Sequence, residues 1–161
     1  MAIKSGEKVK IVTVNRRATH DYHIDERVEA GLVLTGTEIK SIREGRINLR
    51  EGYARVSDGE AWLTNVHIAP YEHGNRYNHE PLRDRKLLLH RGEIDSLIGK
   101  VRQKGYTLVP LQVYLKNGKA KVELGLGRGK REYDKREAIA RREGQREIER
   151  GMRERERERD R

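Results

Sequence analysis

The chain has 161 residues, and its 36 Lys and Arg outnumber its 26 Asp and Glu, which gives a net charge of +10. Only 34% of the residues are hydrophobic while 39% are charged, so we expect one ordinary domain with an appendage rather than a large enzyme core. Cysteine is absent, which excludes disulfides, thiolate metal sites and cysteine nucleophiles. No segment resembles a secretory signal or a membrane span. We therefore expect a cytoplasmic protein, without a membrane partner, whose cations bind a polyanion.

The charge distribution divides the chain after Lys130. Residues 131–161 carry 12 basic and 10 acidic side chains, with too few apolar side chains to build a core. We predict a folded body at 1–130 and a charged tail at 131–161 that is disordered when free and helical on a partner. The body keeps 24 basic against 16 acidic groups, so most of the net positive charge lies on the folded part.

Short strands separated by turn residues dominate the body. In chain order we predict strands at 9–14 and 28–35, a helix at 36–45, strands at 53–57, 61–66 and 87–89, a helix at 93–104, and strands at 108–116 and 120–126. Asp58-Gly59 and Asn117-Gly118 predict two tight hairpins. The fold class is therefore α+β and mainly β: an oligonucleotide-binding-type antiparallel β-barrel with two to three short helices.

The glycine-rich segment at 125–130 invites comparison with phosphate-binding loops. A Walker loop would need Gly at 124 and Ser or Thr at 131, where the chain has Leu124 and Arg131, so we interpret the segment as a flexible exit from a strand. The six histidines lack the spacing of metal ligands, and no nucleophile elbow accompanies the Ser, His and Asp residues. We therefore predict no metal, no cofactor and no catalytic residue.

Residues 15–22 combine cations with an amide, an imidazole and a phenol, which suits a surface that holds phosphates and stacks a base. A solvated loop before a strand explains the same segment equally well. The candidate RNA-binding residues here are Asn15, Arg16, Arg17, His20 and Tyr22.

Two further segments carry candidate RNA-binding residues. Strand geometry separates Leu88 from its leucine neighbours and places it beside Lys86, although periodicity alone favours a helix covering it. Lys119 and Lys121 would share one face of a hairpin and form a cationic ridge. Glu29 could accept hydrogen bonds from a guanine edge or orient a neighbouring cation.

Six segments occur in the order found in one known family. They are NRRATHDYHI at 15–24, EAGLVLTGTEIKSIREG at 29–45, DGEAWLTNVHIAPY at 58–71, RDRKLLLHRGEIDSLIGKV at 83–101, GYTLVPLQVY at 105–114 and KVELGLGRGKREYDKR at 121–136. With these segments the chain resembles the SsrA-binding protein family, also called small protein B, the bacterial partner of transfer-messenger RNA (tmRNA).

This resemblance implies a barrel that binds the tRNA-like domain of tmRNA and brings it to stalled ribosomes for trans-translation. It implies roles in RNA binding for Glu29, Leu88 and Lys121. It also implies that the start of the tail acts in the decoding centre and messenger channel of the small ribosomal subunit, through Gly129, Lys130, Arg131, Tyr133, Asp134, Lys135 and Arg136. Gly144, Gly151 and the added glutamates leave the helical extent past residue 143 open.

Two other classes of protein stay in view. A generic single-strand-binding barrel or a ribosome-associated protein would prefer unstructured oligonucleotides, although the chain lacks an aromatic ladder. An RNA-processing enzyme would need divalent cations, which the histidine spacing does not support. We expect a non-catalytic, monomeric RNA-binding adaptor.

Overall fold

The structure, a computed structural model, describes residues 6–74, 77–103 and 105–160, without the side chains of 131–137. Within these residues it has nine strands and four helices. In chain order they are β1 (Val9–Val14), α1 (Arg16–Asp21), β2 (Tyr22–Leu32), α2 (Gly36–Arg43), β3 (Ile47–Asn48), β4 (Tyr53–Ser57), β5 (Glu60–Thr64), β6 (His67–Ile68), β7 (Arg85–Leu88), α3 (Arg91–Val101), β8 (Tyr106–Lys116), β9 (Lys119–Gly129) and α4 (Lys130–Arg159).

Six strands of the described chain form a closed ring. Their order is β8, β4, β5, β7, β2 and β9, and the pairing of β9 with β8 closes the ring. All of these pairings are antiparallel. Strand β1 pairs with the end of β8 that β4 leaves free. The predicted class, an antiparallel β-barrel of the oligonucleotide-binding type with short helices, is confirmed.

The two predicted hairpins are confirmed, and their turns have the geometry that their residues favour. Asp58 and Gly59 have φ of 53° and 74°, and Asn117 and Gly118 have φ of 51° and 79°. Positive φ at both central residues defines the turn that matches the twist of adjacent antiparallel strands. The second hairpin joins β8 to β9, which with β2 are the longest strands of the barrel.

Alternate side chains of the strands fill the barrel. On β9 these are Ala120, Val122, Leu124 and Leu126, which are all buried; the last three belong to the main core cluster. Ile42 of α2 and Leu97 of α3 join the same cluster, so the apolar faces that predicted these helices are the faces that pack. The remaining β9 side chains therefore point to the outside of the barrel.

Residues 16–21 form helix α1, whereas the sequence predicted no helix there. Asn15 caps it, because its Oδ1 accepts a hydrogen bond from the backbone N–H of Ala18 at 3.3 Å. Asn is among the strongest N-cap residues. Ala18 packs with Val109 and Leu111 in a second, smaller apolar cluster outside the barrel. The helix is therefore held by tertiary packing that a six-residue sequence pattern does not reveal.

The interpretation of 125–130 as a flexible exit from a strand is wrong. Residues 125–129 belong to β9, where Gly125 pairs with Arg27 of β2 and Val109 of β8. A Cβ on Gly125 would lie 2.9 Å from Leu111 Cδ1 and 3.1 Å from Ile24 Cγ2. The missing side chain thus lets the second apolar cluster pack directly on the backbone of β9.

Replacing Gly125 with alanine is expected to reduce the free energy of unfolding by about 1–3 kcal/mol, because the added methyl overpacks the Leu111 contact. Denaturant titration measures this loss. The matched control is Gly92→Ala on α3, where a Cβ meets nothing within 4 Å. If Gly125→Ala is as stable as Gly92→Ala, the close packing is not what requires glycine at this position.

The tail forms helix α4 from Lys130 to Arg159. This differs from the expected disorder of the free tail, and the helix continues through Gly144 and Gly151 past residue 143. Each glycine costs about 1 kcal/mol relative to alanine, but most other tail residues are Arg, Glu, Lys, Gln and Ala, which have high helix propensity. The alternating Arg and Glu residues at 153–159 place opposite charges at i, i+3 and like charges at i, i+4, so these pair energies nearly cancel.

A buried cluster of charges holds α2 against β7. Glu38 and Arg85 are both 0% exposed, and Glu38 Oε2 lies 2.5 Å from Arg85 Nε. Glu38 Oε1 accepts hydrogen bonds from Arg83 at 2.5 Å and from the Thr35 backbone N–H at 2.9 Å. Burial raises the pKa of Glu38, but these hydrogen bonds outweigh it and hold the pKa below its ordinary value. We call Glu38, Arg83 and Arg85 the buried charge cluster.

Candidate nucleic-acid interface

Leu88 and Lys121 meet on the outer face of the barrel, above Gly31. Gly31 of β2 is the cross-strand partner of both residues. A Cβ placed on Gly31 would lie 3.2 Å from Leu88 Cβ and 3.6 Å from Lys121 Nζ. Leu88 is 55% exposed, so it points outward as predicted, and no helix of the described chain covers it.

Lys119 lies on the same outer face as Lys121, because Ala120 between them is buried. These two lysines, Leu88 and Gly31 line one shallow groove. The groove thus offers an uncovered apolar side chain next to two cations. We call Glu29, Gly31, Leu88, Lys119 and Lys121 the platform.

Glu29, the remaining residue of the platform, lies two residues before Gly31 on β2 and therefore on the same face. Its Oε2 accepts a short hydrogen bond from the hydroxyl of Tyr114, and Lys116 Nζ lies 3.4 Å from its Oε1. Burial and the Glu29 carboxylate raise the pKa of Tyr114 above its ordinary value, so the phenol remains a donor. Two roles were predicted for Glu29: accepting hydrogen bonds from a guanine edge, or orienting a neighbouring cation. Its contacts with Tyr114 and Lys116 fit the second role.

Tyr114 is a residue that the sequence reasoning missed. Its side chain is only 1% exposed, although it lies on the outer face between core residues Val113 and Leu115 of β8. A tyrosine at an outward position of an apolar strand was the available signal. Only the pairing of β8 with β9 and of β9 with β2 shows that it reaches Glu29.

Lys86 lies two residues before Leu88 on β7 and therefore on the same face. Its Nζ is 3.1 Å from Glu60 Oε1, and both side chains are partly exposed. An exposed ion pair of this kind is weak, so Lys86 can exchange Glu60 for a phosphate at the edge of the platform.

The candidates at 16–22 lie on and beside α1, which flanks a groove lined also by Asn48 and Arg50. Arg17 pairs with Asp21 at 3.3 Å and with Glu51 at 2.9 Å. His20 Nδ1 lies 2.9 Å from Asp21 Oδ1. Hydrogen bonds from His20 and Arg17 lower the pKa of Asp21 below its ordinary value. We call Arg16, Arg17, His20 and Arg50 the α1 surface.

Asn15 differs from its neighbours because it is buried. Its Nδ2 donates to the carbonyl oxygens of Pro110 at 2.9 Å and Leu49 at 3.3 Å, while its Oδ1 caps α1. Both N–H groups of the amide are therefore used within the protein, and one acceptor position of its oxygen remains. Tyr22 is partly buried in the second apolar cluster. These two residues position the α1 surface.

The platform and the α1 surface lie at opposite ends of β9. Tyr22 pairs with Gly129 at one end, and Gly31 pairs with Lys121 near the other. Eight residues of extended strand separate them by about 27 Å. The predicted RNA-binding residues thus form two separate surfaces and not a single site.

The tail begins beside the α1 surface. Gly129 is the N-cap residue of α4, and Lys130 Nζ donates to the carbonyl oxygen of Thr19 at 3.1 Å. The backbone of the predicted tail residues from 130 to 136 is helical. The structure does not describe the side chains of Arg131, Tyr133, Asp134, Lys135 and Arg136. The platform is therefore remote from the origin of the tail.

The described residues contain neither a metal-binding cluster nor a membrane-spanning helix. Across residues 6–74, 77–103 and 105–160, no three His, Asp or Glu side chains are grouped so that they could hold a metal ion. In the same ranges no helix combines the length and apolarity needed to cross a bilayer.

The closed barrel and its two cationic outer surfaces define the class of this chain: a small basic β-barrel protein of the oligonucleotide-binding type. The family model described as SmpB protein matches residues 12–154. The chain belongs to the SmpB protein family.

Individual relatives agree with this assignment. The SsrA-binding protein of Geobacillus kaustophilus is 64% identical over 146 residues, which cover 91% of this chain and 94% of the relative. That of Desulfitobacterium hafniense is 59% identical over 149 residues, or 92% and 96% of the two chains. A solved structure described as "tmRNA-SmpB: a journey to the center of the bacterial ribosome" contains a chain that matches with a TM-score of 0.63 and 55% identity, covering 73% of this chain and 83% of that one.

Proposed function

We propose that this protein binds the tRNA-like domain of tmRNA and delivers it to stalled ribosomes for trans-translation. The observation that carries the proposal is the meeting of exposed Leu88 with the Lys121 ammonium group above Gly31. Family membership and the printed descriptions of the relatives, which name SsrA binding and the tmRNA-SmpB ribosome structure, support it.

The platform would bind a folded RNA by shape and charge. Lys119 and Lys121 would neutralise phosphates and release counterions, while Leu88 would pack against a ribose or an unstacked base. Glu29, held by Tyr114 and Lys116, would keep the outer face of β2 in a fixed arrangement. A groove of this kind provides positioning and only limited sequence preference.

We further propose that the chain works as two parts, the body at 1–130 and the tail at 131–161. Residues 130–142 carry six basic and three acidic side chains, which suits entry into the rRNA-lined messenger channel. The predicted tail residues, Gly129 to Arg136, would act at the decoding centre. Because α4 begins about 27 Å from Lys121 along β9, the origin of the tail does not overlap the platform.

The protein would act by binding alone, as a monomer in the cytoplasm, where ribosomes translate. The reaction centres would belong to the ribosome and to the RNA. This accounts for a chain whose cationic residues lie on outer surfaces and whose buried charges, such as Glu38 and Arg85, are paired with each other.

Titration of the full chain with the isolated tRNA-like domain and with bulk tRNA tests the proposal. We expect the tRNA-like domain to bind about ten-fold tighter or more, a difference of about 1.4 kcal/mol. Binding should weaken steeply as salt rises. An unstructured oligonucleotide of equal length is the control. Equal affinity for both folded RNAs, or a preference for the unstructured one, would contradict the adaptor function.

A further inference from the structure

Part of the platform belongs to a row of cross-strand residue pairs that extends over five strands, from β7 to β1. Leu88 pairs with Gly31, and Gly31 pairs with Lys121. Lys121 in turn pairs with Tyr114 of β8, and Tyr114 pairs with Ile11 of β1. Paired residues on adjacent strands present their side chains on the same face. Ile11 therefore lies on the outer face, in line with Leu88.

Ile11 and Leu88 are the two exposed apolar ends of this row. Ile11 is 59% exposed and Leu88 is 55% exposed, whereas Tyr114 between them is buried. Four inter-strand steps of about 4.8 Å, measured along the curved sheet, join the two ends. Two apolar contacts at this spacing, with a cation between them, can meet two different parts of one folded RNA.

We propose that Ile11 is a second apolar contact for RNA, so that the binding surface extends from β7 across the barrel to the edge strand β1. The inference rests on the proposed function of the platform and adds a residue to it. The chemistry expected at Ile11 is a ribose or the face of an unstacked base, because a branched aliphatic side chain offers apolar surface and no hydrogen bond.

The charges around the row favour an RNA partner over an apolar protein surface. A protein that covered Ile11 and Leu88 together would have to bury Lys121 without a partner, which is costly. The nearby carboxylates are already paired: Glu7 and Glu29 with Lys116 at 3.7 and 3.4 Å, and Glu123 with Arg27 at 3.0 Å. Lys121, two strands from Ile11 in the row, is therefore the cation that the row offers to a phosphate.

The chain contains no cysteine, so one introduced thiol can be labelled uniquely. The full chain would carry a photoreactive aryl azide at Ile11→Cys, with Leu88→Cys as the positive control. Leu82→Cys is the matched negative control, because Leu82 is 49% exposed but lies outside the row. We expect the tRNA-like domain to cross-link at positions 11 and 88 and not at 82, and excess unlabelled tRNA-like domain to compete.

Affinity gives an independent measurement. Ile11→Ser should weaken binding of the tRNA-like domain about five-fold, in keeping with loss of a partly buried aliphatic contact. It should leave the salt dependence unchanged, whereas Lys121→Ala should reduce the salt slope by about one unit. Leu82→Ser should have no effect. Thermal unfolding of each variant verifies that the fold is intact.

The outcomes separate this inference from the proposed function. Cross-linking and affinity loss at Leu88 but not at Ile11 would overturn the extension to β1 and leave the platform standing. Absence of any effect at Ile11, Leu88 and Lys121, with tight binding by the parent chain, would overturn both the extension to β1 and the platform, while the proposed binding of the tRNA-like domain would stand. An equal loss in Ile11→Ser and Leu82→Ser would show a general effect of surface apolarity and would also overturn the inference.

Discussion

Glu38→Ala is expected to lower the free energy of unfolding by about 3–5 kcal/mol, the largest stability effect that we predict for a single substitution in this chain. The substitution leaves Arg85 charged and 0% exposed with its carboxylate partner removed. It also removes the carboxylate that accepts from Arg83 and from the N-cap of α2. Denaturant titration followed by circular dichroism measures the loss.

The matched control is Glu44→Ala, which removes the same charge from an exposed position at the end of the same helix. We expect a change within about 0.5 kcal/mol there. Similar losses for the two variants would mean that the effect comes from net charge or helix content, and that the buried charge cluster contributes little.

The lowered pKa of Glu38 gives the same prediction a pH dependence. The folded state holds the carboxylate ionised to lower pH than the unfolded state does, so its stabilisation is complete above the unfolded pKa, near the ordinary value of 4.5. It is lost as the pH falls below that value and through the folded pKa. Between pH 6 and pH 3 the parent chain should therefore lose more stability than Glu38→Gln. Parallel losses in the two proteins would exclude this carboxylate as the cause.

Ending the chain after Lys130 is expected to abolish peptide tagging on stalled ribosomes. The affinity for the tRNA-like domain should change by no more than about two-fold, which is much smaller than a ten-fold change of about 1.4 kcal/mol in binding free energy. This cut keeps β9 complete and keeps the contact of Lys130 with Thr19. The platform lies at the other end of β9 and keeps all of its contacts. A reconstituted tagging assay and a binding titration measure the two activities separately.

The control variant ends after Met152, which removes a final segment with five basic and four acidic side chains. It retains the cationic start of the tail and the exposed apolar residues Ile139, Ile148 and Met152. We expect it to support tagging. Normal tagging by the shorter variant, or a parallel loss of RNA binding, would show that body and tail do not divide the function in this way.

Local sequence was sufficient for the elements whose signals are short-range. The two hairpins follow from dipeptides that accept positive φ at both turn positions. The outward direction of Leu88 follows from strand alternation, since Leu87 is 1% exposed in the core. Helix α2 ends where Gly45 adopts a φ of 76°, as its position after the amphipathic segment indicated.

Features that depend on distant residues were not predicted. Helix α1 was missed because a six-residue helix depends on packing against Val109 and Leu111, about ninety positions away in the chain; its one local signal was the N-cap residue Asn15. Gly125 was taken for a flexible residue because the side chain that excludes a Cβ there belongs to another strand. Asn15 was counted among polar residues available to RNA, although Pro110 and Leu49 occupy its amide.

The amino-acid sequence by itself determined the barrel class and the positions of the basic residues along the chain, because periodicity, turn chemistry and charge are local properties. Only the tertiary structure decided which of those residues act together. Strand pairing places Leu88 and Lys121 on either side of Gly31 and places the α1 surface at the far end of β9. Register is a relation between segments far apart in the chain, so it is set by how the whole barrel closes.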